Sequence, residues 1–204
     1  MNTTIRLETE TDHAFVDNLT REAFWDVYHP GADEHLVLHK IRTSPCFIPE
    51  LDFVAEQNGE IVGHVICTKA KVIDNTGMAH RILCLGPISV SPSLQKQGIG
   101  SLLIKHTQAT ARNFGYKAIV LFGNPAYYHR FGFKNAAQYH ITTREGENFD
   151  PFMIFELHEG SLSRISGKFY EDPVFNVTPE EVEEFEKGFP YKEKHVTDSQ
   201  LKSN

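Results

Sequence analysis

Residues 85–101 read LGPISVSPSLQKQGIGS, a strand, a glycine-rich turn and the start of a helix in succession. A strand pattern rich in apolar residues is stopped by Pro92, and an apolar helical stripe begins at Ile99. Gly98 and Gly100 carry no side chains, so several backbone amides can point into one concavity and approach a ligand closely. Because the helix that follows contributes the positive end of its dipole, the turn suits a pyrophosphate. The alternative interpretation is a glycine-rich turn that binds nothing.

The elements on both sides of this turn predict a mixed sheet. A strand over 81–90, a helix over 98–114 and a strand over 117–123 form a right-handed parallel unit. Before this unit, Asn58-Gly59 is a strong hairpin sequence that joins strands over 52–57 and 60–73. The fold class is therefore α+β, with a mixed central sheet, antiparallel N-terminal strands, a central strand–helix–strand unit and flanking helices. The flanking elements predicted are a helix that Thr11 or Asp12 caps and that ends at Phe24, a helix over 33–42, a strand over 151–157 and an acidic helix over 179–187 that Thr178 caps.

Composition excludes several classes of protein. The 204 residues suit one domain with an appendage, and 20 Lys+Arg against 27 Asp+Glu give a net charge of −7. We therefore expect no nucleic-acid partner, since such binding needs clustered cations. No run of about 18 apolar residues occurs and the first residues lack the apolar core of a signal peptide, so we expect no membrane partner and a cytoplasmic location. The three cysteines, Cys46, Cys67 and Cys84, are far apart and predict neither a disulfide framework nor a CxxC site.

A second stretch follows the strand over 117–123. Residues 123–133 read GNPAYYHRFGF. Together with LGPISVSPSLQKQGIGS, in this order, the stretch resembles the GNAT N-acetyltransferase superfamily, in particular its predicted-acetyltransferase branch with the Pro-x-Tyr-Tyr-x-Arg-Phe-Gly-Phe motif. The resemblance covers roughly residues 3–157 and implies a GNAT domain over 1–159. Residues 160–204 are then a C-terminal extension with one acidic helix and a disordered end of about a dozen residues.

The resemblance implies a site for acetyl-CoA as cosubstrate. In this family the splayed end of the central strand pairs with the pantetheine arm, the glycine-rich turn holds the pyrophosphate, and an amide at the end of the next strand contacts the cofactor. The cofactor-binding residues implied here are Ile88, Ser89, Val90, Gln95, Lys96, Gln97, Gly98, Ile99, Gly100, Ser101 and Asn124. Tyr128 lies four residues before the Gly of Phe-Gly-Phe and matches the general acid of the family. Its neighbour Tyr127 is interpreted as a packing aromatic.

The implied reaction moves an acetyl group to a primary amine of a small molecule or a protein by direct attack on the thioester. An alkylamine with a pKa of about 10.4 costs roughly 4.6 kcal/mol to deprotonate at pH 7, so a base is expected. Many members of the family carry a carboxylate on the central strand, but residues 81–90 have none. Glu34 and His35, at the start of the second helix, are the candidates, and Glu34 is the catalytic base predicted here. His29 and Glu56 are weaker candidates.

The acid step has two alternatives. A tyrosine with a pKa of about 10 is a weaker acid than a thiol of about 8.5, a mismatch of roughly 2 kcal/mol. Tyr128 therefore either has a lowered pKa or mainly donates a hydrogen bond to the leaving sulfur. The aromatic residues Phe24, Trp25 and Tyr28 either line the acceptor pocket or pack on the sheet.

Other residue patterns point to weaker alternatives. His35 and His39 are four residues apart on a predicted helix, but HExxH is absent and no third ligand is evident, so no metal site is predicted. Cys84, between two leucines on a strand, is predicted to be a buried and inert thiol. Because no base is evident, a non-catalytic acyl-CoA-binding or sensor module is the alternative function. A structural partner protein whose glycine-rich turn is unoccupied is a third alternative. Because dimers are common in the family, a second copy of the chain (a homodimer) is a candidate partner.

Overall fold

A mixed sheet of nine strands forms the centre of the computed structural model, which describes residues 2–197 and residue 200. The strands are β1 (Thr3–Leu7), β2 (Asp52–Gln57), β3 (Glu60–Ile73), β4 (Ala79–Val90), β5 (Ala118–Phe122), β6 (Lys134–Asn135), β7 (Ile141–Thr142), β8 (Phe152–Glu156) and β9 (Gly167–Tyr170). The helices are α1 (His13–Phe24), α2 (Glu34–Ile41), α3 (Ile99–Asn113), α4 (Pro125–Tyr128) and α5 (Pro179–Glu186), with short 3-10 turns between them. The strand order is β1-β2-β3-β4-β5-β8-β6, and β9 pairs with β3 and β7. This arrangement confirms the predicted α+β fold class.

The antiparallel front of the sheet follows from its turns. Asn58 and Gly59 both have positive φ, at 53° and 83°, as a type I′ hairpin turn requires, and β2 and β3 therefore have the bounds predicted. β3 and β4 then pair antiparallel along most of their length. β1, β6, β7 and β9 are absent from the prediction, since these strands have two to five residues and too few alternations to be seen in sequence.

The strand–helix–strand unit is confirmed, and its two strands separate at one end. β4 and β5 are parallel neighbours at Leu83 and Cys84, which pair with Ile119 and Val120. Beyond Cys84, β4 keeps its pairing with β3, whereas β5 continues beside β8. A wedge therefore opens between the C-terminal halves of β4 and β5.

Helices cover both faces of the sheet. On one face α3 buries Leu103 and Ile104 against a cluster that includes Leu83 of β4. On the other face α1 and α2 bury Val16 and Leu38 with residues of β2 and β3. Each fully buried aliphatic side chain of this kind stabilises the fold by about 1.5–3 kcal/mol, so packing on both faces stabilises the sheet that contains the wedge.

The C-terminal extension is joined to this body at two places. β9 pairs with β3, so residues after 160 contribute to the sheet itself. The acidic helix α5 forms as predicted, and Thr178 caps it in a capping box with Glu181. The division at 159/160 stays a prediction. The disordered end was predicted for about the last dozen residues. Of these, Glu193 and His195 form hydrogen bonds with Trp25 and Asp26. Residues 198, 199 and 201–204 lie outside the described residues.

Two further findings bear on the sequence predictions. Cys46, Cys67 and Cys84 are all free and buried, which confirms the prediction for Cys84. Burial raises the pKa of the Cys84 thiol, and this keeps it in the unreactive protonated form. Across residues 2–197, none of the helices combines the length and the apolar character that a bilayer crossing requires.

Candidate active site

A cavity of about 600 Å³ occupies the wedge between β4 and β5. It lies between the end of β4, the turn before α3, and α4, and its volume is in the range of small-molecule sites. Its lining residues are Tyr28, Ile88, Val90, Leu94, Gln95, Lys96, Gly98, Ile99, Gly100, Ser101, Asn124, Tyr127, Tyr128 and Arg130. Most of the residues that the family resemblance implied for the cofactor therefore meet around one space.

The glycine-rich turn presents backbone amides to this cavity. Lys96 and Gly98 both have positive φ, at 62° and 91°, which turns the chain sharply before α3 begins. The amide of Leu102 bonds to the carbonyl of Gly98 and closes the first turn of the helix. The amides that precede it, at residues 99–101, belong to the group that a helix leaves without internal partners. The turn thus has the donor geometry and dipole of an anion site.

The end of β4 presents its backbone to the same cavity. Ser91 donates its amide to the carbonyl of Val62 on β3, at 2.9 Å. Since alternate residues of an antiparallel strand bond to the same neighbour, Ile88 and Val90 direct their backbone groups toward the side that β5 has left. The carbonyl of Val90 accepts a hydrogen bond of 3.3 Å from Gln95 Nε2 on this side. The wedge therefore contains strand backbone available to an extended ligand.

Gly100 is matched to Tyr127. A Cβ atom at position 100 would lie 2.6 Å from the hydroxyl oxygen of Tyr127, so only glycine leaves this hydroxyl in place. The guanidinium of Arg130 lies over the Tyr127 ring at 4.1 Å from its centroid. Tyr127 packs as predicted, and it also lines the cavity.

The ring of Tyr128 packs closely against the backbone of Gly123. A Cβ atom at Gly123 would lie 2.4 Å from Cε2 of the Tyr128 ring, and the rings of Tyr127 and Phe133 pack edge-on against it. Burial, followed by the nearby hydroxyls of Tyr127 and Tyr28, raises the pKa of Tyr128. A raised pKa is the opposite of an activated acid, so this tyrosine is suited to donate a hydrogen bond to a developing anion rather than to release its proton.

Tyr28 brings the loop between α1 and α2 to the cavity. Partial burial and the negative charge of Glu34 raise the pKa of Tyr28. Burial, followed by the charge of Asp33, raises the pKa of Glu34 itself to about 7, which is the range of a general base at neutral pH. The aromatic residues were predicted either to line the acceptor pocket or to pack on the sheet. Tyr28 lines the cavity. Trp25 does not, and its indole donates a hydrogen bond to the carbonyl of Glu193.

Several predicted residues lie elsewhere. The Ser89 side chain is buried on the opposite face, where its hydroxyl is 3.1 Å from that of Thr20. Gln97 lies outside the cavity lining, and its side-chain Nε2 donates to the carbonyl of Ser93 at 3.4 Å. Glu34 is next to Tyr28 but does not line the cavity. The Ser89 side chain faces away from the cavity because alternate strand residues face opposite sides of a sheet. Cofactor binding by Ser89 and by the backbone amide of Gln97 stays a prediction.

The other base candidates, among them His35, and the two histidines considered for a metal do not converge. His35 is fully buried under α5, with its Nε2 2.8 Å from Glu186, rather than on a solvated helix face. His39 Nδ1 pairs with Asp17, so the two histidines have different partners. Glu56 accepts hydrogen bonds from Arg6 at the other end of the sheet. His29 lies 3.5 Å from Asp33 at the surface.

Sequence reasoning missed Arg130 and Leu94 as cavity residues. Arg130 is part of the Tyr-Tyr-x-Arg-Phe stretch, and this motif is the signal in the sequence that could have identified it. In the structure its cation lines the cavity together with the amide-lined turn. Asn124 was predicted to bind the cofactor, and it lines the cavity. Its Oδ1 caps α4 by accepting a hydrogen bond from the amide of Ala126. A contact from Asn124 to a ligand would therefore come from its Nδ2.

A separate buried network joins the ends of β1 and β2 to β3. Ligand atoms of Glu8, Asp52 and His64 lie within 4.8 Å of one another, the grouping a metal ion would need. Arg42 donates to both carboxylate oxygens of Glu8, at 2.7 and 2.9 Å, and thus already supplies a positive charge to this group. This arrangement is a charge-compensated ion-pair network, and the prediction of no metal stays a prediction.

Comparison with known proteins gives consistent matches. The family model described as "Acetyltransferase (GNAT) family" matches residues 13–133. The uncharacterized N-acetyltransferase YhbS of Escherichia coli (strain K12) is 28% identical over 164 residues, which cover 80% of this chain and 92% of that protein.

Solved structures agree. The crystal structure of E. coli YhbS in complex with CoA has a TM-score of 0.77 at 26% identity and covers 87% of this chain and 93% of that one. A GNAT acetyltransferase from Brucella melitensis in complex with acetyl-CoA has a TM-score of 0.69 at 26% identity, with 86% and 99% covered. The ribosomal-protein-S18-alanine N-acetyltransferase of E. coli, at 20% identity and a TM-score of 0.53, shares the fold.

Proposed function

The chain belongs to the GNAT acetyltransferase family, and from this we propose that it transfers the acetyl group of acetyl-CoA directly to a primary amine of a small molecule or protein. One observation carries the proposal. The wedge between β4 and β5 places an amide-lined turn, an open strand backbone and Tyr128 around one cavity. Each element matches a different part of acetyl-CoA, and both relatives solved with CoA or acetyl-CoA have similar folds.

The residues fit acetyl-CoA at its charged end. Gly98 and Gly100 keep the amides of the turn accessible, and Arg130 and Lys96 add cations beside them. The backbone groups of Ile88 and Val90 would pair with the amides of the pantetheine arm, as a further strand would. Acetyl-CoA supplies an activated acyl group and a thiolate leaving group.

The reaction needs a proton acceptor on the amine side and a donor on the sulfur side. Glu34, whose burial raises its pKa to about 7, would take the proton of the incoming ammonium, directly or through a water beside Tyr28. Tyr128 would donate a hydrogen bond to the sulfur, since burial raises its pKa and disfavours full proton transfer. The N–H groups at the open edge of β4 would donate to the carbonyl oxygen of the thioester.

One observation favours the sensor alternative. Among the described residues that line the cavity there is no carboxylate and no histidine, because Glu34 is set back behind Tyr28. A single pair of measurements separates the two functions. Calorimetric titration with acetyl-CoA measures binding, and release of free thiol with a panel of primary amines measures transfer. Binding without thiol release on any amine contradicts the proposed enzyme and supports the sensor.

A further inference from the structure

The loop at residues 25–33, here called the acceptor loop, joins α1 to α2 and faces the cavity. It carries Tyr28 into the lining and leads directly into Glu34. Asp26 within it adopts a left-handed conformation, with φ of 59°, which costs a non-glycine residue free energy and persists only where surrounding contacts fix it. The contacts of Asp26 therefore fix the backbone of the acceptor loop two residues before Tyr28.

Some of those contacts come from within the loop. Asp26 Oδ1 accepts a hydrogen bond of 2.7 Å from the amide of Gly31, and the amide of Asp26 donates to the carbonyl of Gly31 at 2.8 Å. The other contacts come from the C-terminal extension. The amide of His195 donates to Asp26 Oδ1 at 3.1 Å, and its Nδ1 lies 3.1 Å from Asp26 Oδ2.

The segment at residues 189–197, here called the strap, follows the loop along its outer side. The Trp25 indole donates to the carbonyl of Glu193 at 3.0 Å. The side chain of Lys194 covers Gly31 so closely that a Cβ there would lie 3.0 Å from its Cε. Lys192 Nζ donates to Glu22 at 2.6 Å and lies 5.2 Å from the centroid of the Trp25 ring.

The strap is anchored to α1 by a buried arginine. Arg21 is 2% exposed, and its guanidinium forms a bidentate pair with Glu186 at the end of α5. The same guanidinium donates to the carbonyl of Pro190 at 3.2 Å and lies over the Trp25 ring at 4.3 Å. The extension is thus fixed at its base and meets the acceptor loop at its far end.

We infer that the strap is a positioning element for the amine side of the reaction. It holds the acceptor loop in the conformation that places Tyr28 at the cavity and Glu34 behind it, and the strap contacts described above are with α1 and this loop. This inference rests on the proposed transferase function. It assigns a role to residues 189–197, and predicts that loosening the strap impairs use of the amine while binding of acetyl-CoA is retained.

The test compares the full-length double variant Lys192→Ala/His195→Ala with wild type. Both side chains are partly exposed, so the double variant is expected to fold, which its Tm checks. Lys187→Ala is the matched control, since the exposed Lys187 side chain pairs with Glu184 of α5 and not with a residue of the acceptor loop. Trp25 is the one tryptophan of the chain, and its emission therefore reports directly on the strap.

We expect kcat/KM for the amine to fall about tenfold, the acetyl-CoA dissociation constant to stay within twofold, and the Trp25 emission to shift to longer wavelength. Lys187→Ala should change none of these, and Lys192→Arg/His195→Asn should recover part of the loss. Unchanged amine kinetics in the double variant of an active enzyme, or an equal loss of acetyl-CoA affinity, overturns the inference alone. A wild-type protein that acetylates no amine of the panel overturns the proposed function, and the inference with it.

Discussion

Replacing Gly123 with alanine places a methyl group against the ring of Tyr128. The new Cβ would lie 2.4 Å from Cε2 and 2.9 Å from Cδ2, whereas ordinary contact begins at 3.4 Å. The ring must therefore retreat by about 1 Å, and the hydroxyl at its end moves at least as far. A displacement of about 1 Å at a reacting centre costs on the order of 100-fold in rate, or about 2.7 kcal/mol in the activation free energy.

Steady-state thiol release with an accepted amine measures this effect. We expect kcat to fall about 100-fold while the acetyl-CoA dissociation constant, measured by calorimetry, stays within about threefold, because the atoms nearest the new Cβ belong to Tyr128 and Leu121 and not to the amide-lined turn. The same substitution in a Tyr128→Phe background should cost little further turnover, since the hydroxyl it displaces is already gone. Gly77→Ala is the control for lost stability: its Cβ would meet open space, but the φ of 87° strains an alanine in this exposed turn, and kcat should stay unchanged.

Two results would refute this reasoning. One is a Gly123→Ala enzyme with wild-type kcat, since the displaced hydroxyl would then be unnecessary. The other is full additivity of Gly123→Ala and Tyr128→Phe, which would mean that the glycine acts on turnover by a route other than Tyr128.

Other residues of the site give independent predictions. Tyr128→Phe should lower kcat by roughly 100-fold to 10,000-fold at constant acetyl-CoA affinity, as loss of a proton or hydrogen-bond donor in the transition state does, and an unchanged kcat removes its assigned role. Gly100→Ala, whose Cβ would lie 2.6 Å from the Tyr127 hydroxyl, should weaken acetyl-CoA binding by about tenfold or more in calorimetry, and unaltered affinity would show that this turn does not hold the cosubstrate. The pKa of Glu34 near 7 predicts that kcat/KM for the amine rises with pH through an inflection near 7, and that Glu34→Gln abolishes it; the same inflection in the variant would exclude Glu34 as the base. Because this pKa is raised from 4.5, the stabilising contribution of the protonated group is fully present below about pH 4.5 and is lost as the pH rises past 7, so Glu34→Gln should raise Tm at pH 8 and leave it unchanged at pH 4.

Local chemistry explains why much of the fold was predictable. The Asn58-Gly59 turn fixes the ends of β2 and β3, and Gly98 and Gly115, both with positive φ, bracket α3 to within one residue of the predicted bounds. The two glycine-containing stretches lie at the ends of β4 and β5. The parallel pairing of those strands brings both stretches to one edge of the sheet, so their meeting in one cavity followed from the predicted topology.

The remaining features depend on tertiary contacts that a single sequence does not show. In the sequence His35 has the pattern of a surface histidine, but in the structure it is buried beneath α5. Arg21 has the pattern of a solvated cation, but in the structure it is buried and paired with Glu186. Burial raises the pKa of Tyr128, and this direction favours a hydrogen bond to the leaving sulfur over a lowered pKa, the two alternatives for its role. The direction of the Ser89 side chain could have been predicted, because alternate strand residues face opposite sides of a sheet. Its neighbours Ile88 and Val90 line the cavity, so the Ser89 side chain faces away from it.

Mass spectrometry of the reaction of the purified chain with acetyl-CoA and a panel of primary amines, read together with free-thiol release, tests the central claim most directly. We predict that at least one amine becomes heavier by one acetyl group, with one free thiol formed for each product, and that Tyr128→Phe slows both signals together. Acetyl-CoA that binds but stays intact with every amine, or thiol release without any acetylated amine, would contradict the assignment of this chain as an acetyltransferase acting on primary amines.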